Sequence, residues 1–291
     1  MRFHRRVMPV AVIGLLLIVY PVFTPAAGAD LFYDAEIKAI YEDNVVGLLA
    51  GAQGTRGGAS GTGMMAAIMG PGGGHSPQNT GSGPGTTSDT EINLYADLGG
   101  STEIASRTSL FIAGSAEHTS YDTFTDLNSN IGGLSTGITM GLGDMLLAKF
   151  AINGRLKRYE GPGRDSSAYG ATLSFKERFT SAFWLKEMYD YEKNSADSAI
   201  FSYKGNSVSV WAGFLPAPQV TFLLGYNYLS RDFDEPAGFT VTANTVSIGL
   251  GYELAKRWFL DAQYDHQRSD SNEPGTAATD NMVSVGLRYS Y

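Results

Sequence analysis

His118-Thr119-Ser120 places a base and a hydroxyl two residues apart. On an extended strand that spacing puts both side chains on one face. A Ser–His pair becomes a hydrolytic unit once a third group orients the imidazole. The nearest asparagines, Asn128 and Asn130, lie beyond the next hairpin, so the third position is open at this level. The other histidines beyond residue 30, His75 and His266, are too scattered for a zinc or haem site. The chain has no cysteine, which excludes disulfides, thiolate metal sites, a cysteine nucleophile and a lipidated N-terminal cysteine. Acidic pairs such as Asp232/Asp234 lack the spacing of a dedicated calcium loop. No metal or cofactor is expected.

A second constellation is larger. Lys149, Arg155 and Lys157 recur on the polar face of one segment, Lys176 and Arg178 on the next, and Lys186 on the one after. Asp34 and Glu36, Glu91 and Asp97, and Asp261 and Asp265 do the same near the two ends of the chain. If these segments are strands of one closed ring, a basic wall faces an acidic one. Such a transverse field orients small polar solutes and screens ions by charge. The structural alternative is a set of salt bridges that rigidify a narrow interior. Lys38, Arg107 and Arg288, on the acidic side, fit partial pairing of that kind.

The elements that must position these groups read as strands. Val283, Val285, Leu287, Tyr289 and Tyr291 alternate with Ser284, Gly286, Arg288 and Ser290. The same period of 2 recurs in "TVSIGLGYEL" and "VTFLLGYNY". Turn signals fall near Gly99-Gly100, Gly143-Asp144, Thr180-Ser181, Pro216-Pro218 and Ala255-Lys256, with longer acidic connections between them. The pattern predicts twelve strands, near 30–43, 90–98, 104–120, 130–142, 145–159, 167–179, 182–192, 199–214, 218–230, 239–254, 257–268 and 279–291; ten or fourteen are also compatible. In "FWLKEMYDY" Glu187 falls on the apolar face. "FSYKGNSVSVW" changes phase, as a bulge near Gly205 would make it do. Outward aromatics gather in two girdles, one of them including Tyr41, Tyr121, Tyr169, Tyr189, Tyr228 and Tyr264.

The N-terminus supplies an address. Arg2, Arg5 and Arg6 precede an uncharged apolar run from Val7 to Tyr20, shorter than the ~20 residues of a spanning helix. Ala27-Gly28-Ala29 is a small-residue cleavage site, so residues 1–29 read as a signal peptide and the mature chain as 30–291. The formal net charge of −8 becomes more negative once that arginine-bearing leader is lost, which disfavours nucleic acid as a partner. Glycine is abundant, 36 of 291 residues against a usual ~7 %. With no second long apolar run, an exported chain of this pattern is soluble or crosses a membrane as a barrel. Residues 44–89 form one long glycine-rich connection whose only formal charges are Arg56 and Asp89. It is either a surface loop or a constriction folded into the lumen, with "MMAAIM" (Met64 to Met69) as its contact.

The C-terminal pattern, Val283, Val285, Leu287, Tyr289 and Tyr291, resembles the assembly signal of Gram-negative outer-membrane β-barrel proteins. The resemblance implies an all-β, transmembrane antiparallel up-and-down barrel in the bacterial outer membrane. It implies periplasmic chaperones and the barrel-assembly machinery as partners, with outer-membrane lipid around the barrel. It names no specific family. The expected function is a narrow porin-like channel for small polar solutes in a transport role, and the barrel is monomer-capable. The alternatives are a non-conducting accessory barrel that scaffolds a partner, and an outward-facing phospholipid hydrolase. The outer-membrane phospholipase class uses an outward His-x-Ser, to which His118 and Ser120 are similar. Here Tyr121-Asp122 follows where that class usually has Asn-Gly. The reading is therefore of a non-enzyme with no catalytic residue assigned.

Overall fold

The computed structural model describes residues 29–43, 88–272 and 277–291. Of the predicted signal peptide only Ala29 falls within that set, and of the predicted 44–89 connection only Ser88 and Asp89. The rest of both, including "MMAAIM", lies outside the described residues.

Twelve strands follow one another in sequence: β1 (Ala29–Glu42), β2 (Asp89–Ala105), β3 (Thr108–Tyr121), β4 (Ser129–Leu142), β5 (Leu146–Tyr159), β6 (Ser166–Arg178), β7 (Phe183–Ala196), β8 (Tyr203–Ala217), β9 (Val220–Phe233), β10 (Thr240–Ala255), β11 (Trp258–Ser271) and β12 (Ala278–Ser290). Each pairs antiparallel with its neighbours, and β12 pairs with β1, so the sheet closes into a barrel without edges. Among the described residues no helix is long and apolar enough to cross a membrane.

Burial alternates along the strands, and the closed sheet gives that alternation its meaning. On β9, Leu223, Asn227 and Arg231 are buried, while Phe222, Leu224 and Tyr226 are exposed. Ile37, Ile112, Leu134, Ile152, Ile248 and Val285 continue the exposed apolar surface around the barrel. A soluble core would be apolar inside. Here the charges point inward and the aliphatic side chains outward, as in a lipid-facing barrel.

The connections are short at one end, the turn end, and longer at the other, the loop end. At the turn end Arg107, Gly143 and Arg257 take positive φ to close tight reversals. Tyr289 packs between Tyr33 and Trp258 there, tilted against the first at 5.4 Å and edge-on to the second at 5.2 Å between ring centroids. At the loop end, side chains tie the loops down. Asp89 accepts from the backbone N–H groups of Thr123 and Phe124, and Asp43 from both backbone and side chain of Asn281. Partial burial acts to raise the Asp43 carboxyl, but the Asn281 hydrogen bonds hold it below the ordinary carboxylate value.

Four expectations need correction. β2 runs through Gly99-Gly100 to Ala105, because Gly99 leaves room for the Phe32 ring and the reversal comes at 106–107. β8 keeps one phase from Tyr203 to Phe214, and its register shift lies between Phe214 and Ala217, beside Pro216. Tyr121 belongs to no outer girdle; it is buried against Leu127 and Phe124. Arg107 lies outside the lumen, where it pairs with Asp144 of the next turn at 2.9 Å. Glu187 does lie on the exposed face.

Candidate functional site

In a ring of twelve, β5, β6 and β7 lie across from β11, β12 and β1. Lys149, Arg155 and Lys157 of β5, Lys176 of β6 and Lys186 of β7 sit on the inward faces, and Arg178 stands exposed at the end of β6. Asp34 and Glu36 of β1, Glu91 and Asp97 of β2, and Asp261 and Asp265 of β11 face them from the far side. The strands therefore place a basic wall opposite an acidic one. Further acids, Glu42, Asp89, Glu117 and Asp280, are buried toward the loop end.

Toward the loop end the basic wall neutralises itself. Glu192 of β7 accepts from Arg155 at 3.0 Å and from Lys157 at 2.9 Å. The Tyr203 hydroxyl donates to the same carboxylate at 2.6 Å. The Arg231 guanidinium covers the Tyr203 ring at 4.3 Å. Glu192, Asp190 and Arg231 were not among the sequence candidates. The alternation Lys186, Met188, Asp190, Glu192 carries the signal that places the two acids in the lumen. The acidic wall has its own pairs, Arg288 with Asp261 at 3.1 Å and Lys38 with Glu36 at 3.3 Å.

Toward the turn end the same strands behave differently. Lys176 and Lys186 are direct register partners, two like charges side by side. Among the described residues neither they nor Lys149 form an ion pair. Lys149 lies over the Phe111 ring at 4.1 Å and Lys176 over Trp184 at 4.8 Å. Asp190 is within electrostatic reach of Lys186, but its carboxylate is held by Thr172 at 2.5 Å. Glycines make room for the large rings in this part of the lumen: a Cβ on Gly225 would stand 2.6 Å from the Trp211 ring. Opposite, Asp34 and Asp97 are also direct register partners, and one oxygen of each is buried without a hydrogen-bond donor among the described residues.

The outward candidates come together in part. His118 and Asn130 are register partners, and Nδ1 of His118 lies 3.0 Å from Oδ1 of Asn130. The hairpin thus supplies the asparagine that sequence distance obscured. The identical pairing occurs at His266 and Asn281, at 2.8 Å, where Arg268 occupies the position equivalent to Ser120. Tyr189, Tyr226 and Tyr264 each donate to an outward asparagine at 2.7 Å. The His118–Asn130 pair is one member of a recurring polar belt at the loop end, which a hydrolytic role does not require. Among the described residues no group of acids and histidines could hold a metal ion.

A closed antiparallel barrel with an apolar exterior and a charged interior has the fold of an outer-membrane β-barrel. No family model matches the sequence, and no curated protein matches it. Its fold is similar to that of an outer-membrane channel from Pseudomonas putida F1, at 7% identity and a TM-score of 0.54, covering 92% of this chain and 100% of that one. It is also similar to the NanC porin, at 10% identity and a TM-score of 0.51, covering 88% and 98%.

Proposed function

We propose that the protein is a narrow outer-membrane channel for small polar solutes, with a charge field running across its lumen. The observation that carries this reading is the placement of Lys149, Lys176 and Lys186 across from Asp34 and Asp97 inside a closed sheet. Charges are costly to bury in a dry interior, whereas a solute pathway uses them. Planar-bilayer recording of the refolded protein tests it, with stepwise conductance as the expected result. Lys149→Glu combined with Lys176→Glu should then change ion selectivity.

A specific observation favours a second reading, a non-conducting barrel that scaffolds a partner. Lys157, Gln267 and Arg288 are each 1% exposed, so side chains fill much of the interior. A silent bilayer from correctly folded protein would select that reading. Delivery by periplasmic chaperones and the barrel-assembly machinery belongs to either one. Tyr291→Asp should slow membrane insertion.

A further inference from the structure

The turn-end layer contains two like-charge pairs with no ion-pair contact among the described residues, and they face each other; Arg288 acts on Asp34, and Asp190 on Lys186, only at longer range. Lys176 and Lys186 adjoin on β6 and β7, with Lys149 on the next strand. Asp34 and Asp97 adjoin on β1 and β2. Asp97 and Lys149 are within electrostatic reach of each other across the lumen. Like charges side by side repel, and a buried charge without a partner is destabilising. Nearer the loop end Glu192 is matched by Arg155 and Lys157.

The rest of the chain offers the lysines little. Residues 1–28 and 44–87 contain no aspartate or glutamate. Glu273 is the one acid of the sequence outside the described residues. A carboxylate from outside the protein would complete the basic cluster, and an ammonium the acidic pair. Asp34 and Asp97, across the lumen from the lysines, disfavour a simple anion in this layer.

Resting on the channel reading, we infer that this layer recognises a small zwitterion, its carboxylate at Lys149, Lys176 and Lys186 and its ammonium at Asp34 and Asp97. Ser290 is the register partner of Asp34 on β12.

Uptake of three labelled solutes of similar size into proteoliposomes tests this: alanine (zwitterion), lactamide (neutral) and lactate (anion). The wild type should take up alanine fastest. Lys176→Gln with Lys186→Gln, or Asp34→Asn with Asp97→Asn, should lower the alanine-to-lactamide ratio by about fivefold or more. Lactamide uptake should persist in both variants, which reports an open, folded barrel, and Lys176→Arg with Lys186→Arg should keep the preference for alanine. Equal uptake of alanine and lactamide by the wild type, or faster uptake of lactate, overturns the inference and leaves the channel. Absence of uptake of all three overturns both.

Discussion

Two levels of the same basic wall differ in kind. Near the loop end, Arg155 and Lys157 converge on Glu192, and Tyr203 completes the group. A few residues away on the same strands, Lys149, Lys176 and Lys186 rest on aromatic rings or on one another with no carboxylate in ion-pair contact among the described residues. The first group is closed and holds the barrel together. The second is open and is suited to a group that comes and goes.

The largest expected effect breaks the closed group. Glu192→Gln leaves two buried cations without their partner, and should cost about 3–5 kcal/mol in reversible unfolding from detergent or lipid. Gly225→Val should come next, at about 1–3 kcal/mol, because the new side chain meets the Trp211 ring. Lys176→Gln with Lys186→Gln should be neutral, or stabilising by about 1–2 kcal/mol, since it relieves repulsion without breaking a pair. If that double variant proved as destabilising as Glu192→Gln, the contrast between the two levels would be lost. Ser120→Ala should have the smallest effect, with phospholipid hydrolysis in the purified protein unaltered by the change.

Much of the barrel was legible because side-chain direction in a strand has a period of 2. The alternation in "VTFLLGYNY" and "TVSIGLGYEL" gave strands and faces together. Glycine misled where it served packing: Gly99-Gly100 resembles a turn, but Gly99 accommodates Phe32 inside β2. The inward direction of Lys176, Lys186, Asp34 and Asp97 was visible in the sequence, but their adjacency was not. Register decides which residues stand side by side, and it depends on turn geometry and shear across the sheet. The same limit hid the contact between His118 and Asn130.

Planar-bilayer recording of the refolded barrel tests the central claim most directly. The account predicts stepwise conductance whose ion selectivity shifts toward cations when Lys149 and Lys176 are both replaced by glutamate. A silent bilayer, or conductance with unaltered selectivity in that variant, would contradict it.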